Sequence, residues 1–381
     1  FYRLKILHLI YTEAVSGAEN YVKHLIPGLK QFNINCDLIV VSPRRTAPAF
    51  TEYCNQLNAL GIPTTLIIAN RVSIIATAIK INAYLRKHKI KIVHSHLLNS
   101  DLIAAVLKTL FYPKLYLISS KHEYQEKVLQ QYEPGMKMKL NDLYYYITKF
   151  TLRKINSNLC VSNAIAELFI NLGFTKEKYP YIHHGITINE FNKEACKAQC
   201  RRANPQIIIV GRIELFKGHH FLLDAMPEVI KNFPTIKLLV IGEGSEKNNC
   251  INKVAQLGLQ NHVDFLGFQS NPYSFISHSD VIILPSLFEP FGLVYIEAFA
   301  LQTPVIAFNT AAGNEIMEDG KTAILVKKCD SNALAQKIIY LLNNKEMRDK
   351  LASQARQKYE THFTSEVMIK NTADWYVKLP V

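Results

Sequence analysis

The sequence predicts an α/β protein of two doubly wound domains, each a parallel sheet wrapped by crossover helices, facing one another across a ligand cleft. Three observations carry this. The chain's 381 residues exceed one ordinary core and suit two domains of somewhat under 200 residues each. Short β-branched runs alternate with amphipathic helical patterns, the order that parallel sheets with crossover helices require. The strand series also stops before residue 191 and restarts at residue 206.

Taken in order, the first half offers strands at Lys5–Ile10, Asp37–Ser42, Thr64–Ile68, Ile92–His94, Tyr116–Ser119 and Asn158–Val161. The second half offers Gln206–Val210, Lys237–Ile241, Val263–Leu266, Val281–Leu284, Val305–Ala307 and Ala323–Val326. Between them lies Phe191–Pro205, polar, charged and without a strand of its own. This divides the chain into an N-terminal domain (1–190), a linker (191–205) and a C-terminal domain (206–363). A last helix (364–381) carries the single tryptophan, Trp375, and is expected to pack back on the first domain. Ligands of such sheets lie outside the carboxyl ends of the strands, so the crevice between two facing sheets is the expected site.

Composition narrows the classes. With 49% hydrophobic and 20% charged residues the chain should pack as a soluble protein. Lys5–Tyr11 is too short for a signal-peptide core and runs into polar Thr12 and Glu13. The most apolar long stretch, Leu102 to Ser119, is interrupted by Lys108, Pro113 and Lys114, well short of the roughly 20 apolar residues a membrane span needs. Seven scattered cysteines without a Cys-x-x-Cys pair suggest neither a disulfide framework nor a zinc site, and fit a reducing cytoplasm. The net charge of +13 is uneven: residues 1–195 hold 24 Lys and Arg against 13 Asp and Glu, residues 196–381 hold 20 against 18.

The most informative stretch runs from Pro285 to Ala300. A strand ends in a Pro-Ser turn, and the apolar run from Phe291 reads as a helix with Gly292 near its first turn. Unpaired N–H groups and the helix dipole make such an N-terminus an anion site, and glycine lets a phosphate approach the backbone. Glu297 lies on the face of Leu293 one turn deeper, about 6 Å along the axis, where a carboxylate can hold the vicinal diol of a ribose. Glu289, before the helix, is free to take hydroxyls of a sugar.

This segment resembles the glutamate-pair signature of retaining glycosyltransferase family four (glycosyl transferases group 1), and further matches occur in the family's order across nearly the whole chain. Val210-Gly211-Arg212 followed by Lys217-Gly218 resembles the family's paired-cation loop, in which Arg212 and Lys217 would grip the donor diphosphate. Val161-Ser162, Gly267-Phe268, Pro285-Ser286, Pro304-Val305-Ile306 and Gly313-Asn314-Glu315-Ile316 fall where the family has similar residues. Ser16-Gly17-Ala18-Glu19 is similar to its glycine-rich loop, with a helix beginning near Gly17 or Ala18. His94-Ser95-His96 and Ser120-Lys121-His122-Glu123, each following a strand, form the other half-site. The resemblance implies that His122 lies nearest the reacting sugar, donating to its 6-hydroxyl or steering the acceptor; His94 and His96 are read, as histidines at a strand end usually are, as structural hydrogen-bonders. The sequence departs from the family at His184-Gly185-Ile186-Thr187, where an Asn-Gly-hydrophobic-Asp turn is usual.

The resemblance implies a two-Rossmann-domain fold (GT-B) and transfer, with retention, of a hexose-type sugar from a nucleoside-diphosphate donor, UDP favoured, to a glycan or glycolipid acceptor. Cell-surface polysaccharide or lipopolysaccharide synthesis is the expected setting. The catalytic set is His122, Arg212, Lys217 and Glu289. The donor set is Gly17, Gly211, Arg212, Lys217, Phe291, Gly292, Leu293 and Glu297. No Asp-x-Asp occurs, so a metal-held diphosphate is not expected and no cofactor is assigned. Alternatives on the same fold are a sugar-nucleotide epimerase and a silent nucleotide-sugar-binding subunit; a nicotinamide enzyme fails because Gly242-Glu-Gly244-Ser-Glu-Lys247 lacks the third glycine. The basic first half, with clusters at Tyr84–Lys91 and Lys137–Lys154, points to the anionic inner face of a membrane rather than to nucleic acid.

Overall fold

The computed structural model describes residues 4–13, 17–69, 73–124, 140, 142–188 and 204–380. The expected linker, through residue 203, lies outside them, as do Ser16, Lys137 and Lys139. The chain divides into two units, Phe1–Gly185 with Ser365–Val381, and Ile186–Thr364.

The first unit runs β1 (Leu4–Tyr11), α1 (Gly17–Leu29), β2 (Ile34–Ser42), α2 (Ala47–Ala59), β3 (Thr64–Ile68), α3 (Ile74–His88), β4 (Ile92–His96), α4 (Leu98–Leu110), β5 (Tyr116–Lys121), α5 (Leu143–Leu152), β6 (Ser157–Cys160) and α6 (Asn163–Asn171). The second runs β7 (Gln206–Val210), α7 (His219–Asn232), β8 (Lys237–Ile241), α8 (Lys247–Gln256), β9 (Val263–Gly267), α9 (Tyr273–His278), β10 (Val281–Leu284), α10 (Leu293–Ala300), β11 (Val305–Phe308), α11 (Ala311–Ile316), β12 (Ile324–Val326), α12 (Ser331–Asn343) and α13 (Lys345–His362). The chain then returns to the first unit as α14 (Ser365–Val377).

Both sheets are six-stranded with parallel pairing, in the orders β3-β2-β1-β4-β5-β6 and β12-β11-β10-β7-β8-β9. Each reverses direction between its first and fourth strands, β1 with β4 and β7 with β10. That is where a doubly wound sheet opens its ligand crevice. Helices cover both faces, so β1 and β2 are buried along nearly their whole length and read as continuous apolar runs. Helix starts are set by side-chain caps: Ser162, Thr310, Asp330 and Asn344 each accept a backbone N–H of the turn that follows.

Two strands run two residues past their expected carboxyl ends. β4 continues through His96 and β5 through Lys121, so the polar pairs expected after the strands are instead their last rungs. Paired residues such as His94 with Ile118 and His96 with Ser120 keep the ladder intact. A strand end that faces a ligand crevice is polar without being a turn, and alternating His and Ser hides the usual apolar signature.

α14 closes the first unit. Met368, Ile369, Ala373 and Tyr376 join the core built by β1, β2 and α1. Its approach to α1 depends on Gly28, where a Cβ would stand 2.3 Å from Ile369 Cδ1. Residues 186–188 belong to the second unit: Ile186 pairs with Thr364 and its carbonyl accepts the Tyr359 hydroxyl at 2.9 Å.

Candidate active site

In the second unit the site grows from the loops after β7 and β10. These two approach backbone to backbone at Gly218, where a Cβ would lie 1.9 Å from the Pro285 carbonyl oxygen, and the loop after β8 closes on the β7 loop at Gly242, where a Cβ would lie 1.8 Å from the Gly211 carbonyl oxygen. The Leu287 N–H donates to the Phe216 carbonyl at 2.7 Å and ties the two loops together. Phe216, buried, carries both cations on its ring, with Arg212 Cζ at 5.6 Å and Lys217 Nζ at 5.4 Å from the centroid. An aromatic face attracts both and limits where they can point.

Lys217 Nζ donates to Glu289 Oε1 at 2.6 Å, and the Ser286 hydroxyl donates to the same oxygen at 2.8 Å. Both contacts fall on Oε1, which leaves Oε2 to accept from a ligand. The pair is largely dry, with 19% of the Lys217 side chain and 9% of that of Glu289 exposed. Arg212 is exposed by contrast. α10 begins at Gly292, whose φ of 99° suits glycine and whose missing Cβ makes room for the Tyr295 ring. Phe291 is buried against Phe363, with ring centroids 6.2 Å apart, which anchors the helix start. Leu293 and Glu297 follow on one face; burial raises the Glu297 carboxyl to about 7, so it titrates near neutrality.

In the first unit Gly17 opens α1, as the sequence places it. His122 follows β5 and is 7% exposed. Burial first, and Lys121 second, lower its pKa to about 3, so the imidazole is neutral. Its Nε2 contacts His96 Nδ1 at 3.1 Å, and its Nδ1 has no hydrogen-bond partner among the described residues. His184, the departure from the family's Asn, packs its ring 5.5 Å from His122 and 4.7 Å from Tyr21. On the other side of the sheet Asp101 gathers Ser95, Ser119 and Lys121, the last at 2.6 Å in a buried ion pair. A cavity of about 170 Å³ is lined by His122, Lys121, Asp101, Tyr11, Tyr124 and Tyr144, among others.

The sequence residues therefore fall into two half-sites. Arg212, Lys217, Glu289, Phe291, Gly292, Leu293 and Glu297 cluster with Gly211 around the β7–β10 switch point; Gly17 and His122 belong to the β1–β4 side. Sequence reasoning missed Phe216, Ser286 as the second clamp on Glu289, and His8 and His184 as neighbours of the histidine pair. An aromatic residue between two functional cations was the available signal for Phe216; nothing local marked His8, which joins the others only through strand pairing.

Two doubly wound parallel sheets, one bearing paired cations and a glycine-started helix at its switch point, define a glycosyltransferase of the GT-B fold. The comparisons agree. The family model for glycosyl transferases group 1 matches residues 193–358 and that for glycosyltransferase family 4 matches residues 15–190, and the chain belongs to this family. The Staphylococcus aureus capsular polysaccharide biosynthesis glycosyltransferase CapM is 32% identical over 58% of this chain and 57% of its own length. The Acholeplasma laidlawii alpha-monoglucosyldiacylglycerol synthase is 24% identical over 99% of this chain and 97% of its own. The match thus spans little more than half of CapM and nearly all of the Acholeplasma protein. Anabaena HepE, solved in complex with UDP and glucose, has the same fold, with a TM-score of 0.80 at 19% identity over 99% of this chain and 100% of its own.

Proposed function

We propose that this protein transfers a hexose-type sugar from a nucleoside-diphosphate donor to a glycan or glycolipid acceptor, without a metal and with retention at the anomeric carbon. The observation that carries the reading is the Arg212–Phe216–Lys217 loop, whose two cations share one buried ring beside Glu289 and the start of α10. Diphosphate departure builds negative charge, and cations held in advance stabilise it without reorganisation. Arg212, Lys217 and the α10 N-terminus would neutralise the diphosphate, Glu297 would hold the ribose, and Glu289 Oε2 would accept from a sugar hydroxyl. The bond from the anomeric carbon to the leaving phosphate oxygen breaks, the bond to the acceptor oxygen forms on the same face, and the acceptor's proton passes to the departing diphosphate. UDP is the favoured carrier, supported by HepE, a protein of the same fold that binds it.

The acceptor side is read as a membrane surface in cell-envelope polysaccharide or glycolipid synthesis, with the protein held peripherally at the cytoplasmic leaflet. No helix among the described residues is long and apolar enough to cross a bilayer. α5 instead exposes Leu143, Tyr146 and Phe150, spaced along one stripe, at 75%, 57% and 39%, beside exposed Lys149 and Arg153. Apolar and aromatic groups flanked by cations suit an anionic headgroup region. A thermal-shift panel of UDP-, GDP- and ADP-sugars in EDTA tests the donor reading. A rise in melting temperature with UDP-sugars, and turnover that survives chelation, is expected. Turnover restored only by magnesium or manganese would refute metal-free charge neutralisation.

A further inference from the structure

Four histidines of the first unit form a hydrogen-bonded chain that ends at His122. Strand pairing sets His8 beside His94, and the two-residue period of β4 puts His96 on the same face. Followed atom by atom, Ser120 Oγ lies 2.8 Å from His94 Nε2, and His94 Nδ1 lies 2.5 Å from the Tyr376 hydroxyl. That hydroxyl is 3.5 Å from His8 Nε2, His8 Nδ1 is 3.0 Å from His96 Nε2, and His96 Nδ1 is 3.1 Å from His122 Nε2. His122 lines the cavity beside Lys121, and its Nδ1 is the one ring nitrogen of these four histidines without a partner among the described residues.

Burial keeps all four rings neutral, pushing His8 and His122 to about 3 and His94 and His96 well below their usual value. A neutral imidazole has one N–H and one lone pair, so placing one proton places every other along the chain. The shortest contact decides. A phenol donates better than it accepts, so at 2.5 Å Tyr376 O–H donates to His94 Nδ1. His94 Nε2–H then donates to Ser120, whose own proton can pass to Tyr21, a side chain to which it is also hydrogen-bonded. On the other side the Tyr376 oxygen accepts from His8 Nε2–H, His8 Nδ1 accepts from His96 Nε2–H, and His96 Nδ1 accepts from His122 Nε2–H.

We propose that Tyr376, His8 and His96 are positioning residues that hold His122 as its Nε2–H tautomer, so that its Nδ1 lone pair accepts a hydrogen bond from a hydroxyl of the bound sugar or acceptor. This reverses the donor role implied by the family resemblance and rests on His122 facing the substrate. It also separates the cluster from a metal centre. His8, His94 and His96 offer nitrogens within 4.8 Å of one another, but a metal needs three lone pairs aimed at one point, whereas this chain uses the same nitrogens as donor–acceptor pairs.

The test is two-bond proton–nitrogen correlation NMR on the full chain labelled with ¹⁵N-histidine, the His122 signal being assigned by its loss in His122→Gln. A pyridine-like Nδ1 and pyrrole-like Nε2 are expected. Tyr376→Phe, which removes one oxygen, should mix the His122 tautomers and lower kcat about 5- to 10-fold with little change in donor KM, the loss of one hydrogen-bond's worth of order. His96→Asn, whose amide oxygen can replace Nδ1 as acceptor, should retain the tautomer and most activity, while His96→Leu should lose both. A protonated Nδ1 in the wild type, unmixed tautomers in both Tyr376→Phe and His96→Leu, or one equivalent of zinc in the purified protein would overturn the proposal. Should the tautomers behave as expected while His122→Phe transfers normally, the placement of His122 at the substrate fails instead.

Discussion

Replacing Lys217 by Met separates the role its ammonium plays beside Glu289 from the role proposed for it on the diphosphate. In the ligand-free protein it neutralises Glu289 across 2.6 Å in a setting where 9% of the glutamate side chain is exposed. The gross attraction at that distance is about 6 kcal/mol for an effective dielectric near 20, and removing one partner of a buried pair costs about 3–5 kcal/mol net. Residual exposure of Lys217 and the surviving Ser286 hydrogen bond place the loss at the lower end, about 3 kcal/mol, which for a unit of this size lowers Tm by roughly 6–12 °C. In the proposed reaction the same group would stabilise the leaving diphosphate, and a lost fixed donor there costs about 100- to 1,000-fold in kcat. The double variant Lys217→Met/Glu289→Gln removes the orphaned charge. Differential scanning fluorimetry should show most of the stability restored in the double variant, while transfer, followed as nucleoside diphosphate released, stays low. Recovery of transfer together with stability would make Lys217 a structural partner of Glu289 and refute its role on the diphosphate.

Arg212→Ala should lower kcat/KM by about 2 kcal/mol or more with Tm unchanged, because its guanidinium is exposed and makes its contact to a ring face; an equal loss of stability would contradict this. Glu297→Gln should weaken free UDP in calorimetry, and its stability relative to wild type should depend on pH. The folded carboxyl titrates at about 7 against an ordinary value of 4.5, so the wild type loses stability as pH rises through that window and the glutamine variant does not. The variant's Tm advantage should therefore be larger at pH 8 than at pH 5, and a constant difference would argue against a buried carboxyl. Flotation with liposomes should show binding to anionic lipid that falls with salt and weakens when Lys149, Arg153 and Lys154 become Glu, each cation contributing about 1 kcal/mol. Equal partitioning onto neutral lipid would favour a soluble acceptor.

Strand positions were legible because a parallel sheet covered on both faces writes its core strands as short β-branched runs: Thr64–Ile68, Gln206–Val210, Lys237–Ile241 and Val281–Leu284 end where the sequence pattern ends. β2 starts at Ile34 rather than Asp37, since Asn35 interrupts the apolar run there, and the carboxyl-end errors are largest at the crevice edge, where β4 and β5 trade apolar residues for His, Ser and Lys. The clustering of side chains at the β7–β10 switch point was legible for a related reason. Gly211, Arg212, Lys217, Glu289, Gly292 and Glu297 sit on two short segments, and each segment carries its chemistry in local spacing. The histidine chain was not, since His8, His94, His122 and Tyr376 lie on four different elements and meet only through strand register and the return of α14.

The two units use one topology for opposite electrostatics. At the β7–β10 switch point the functional groups are charged and held in advance: two cations on a shared ring and a carboxylate with its oxygen clamped. At the β1–β4 switch point burial strips the charge away, leaving neutral imidazoles, and the buried cation there, Lys121, is cancelled by Asp101. The excess positive charge of the first half therefore does not serve a phosphate in its own half-site. It lies on exposed residues such as Arg86, Lys87, Lys89, Lys149 and Arg153, where it can act only on something large outside the molecule. A neutral, hydrogen-bonding pocket suits hydroxyl groups, and an outer basic surface suits the anionic layer in which a lipid-linked acceptor would stand. On the proposed reading the chain's charge asymmetry would concern where the enzyme works, and the diphosphate would be left to the nearly balanced second half.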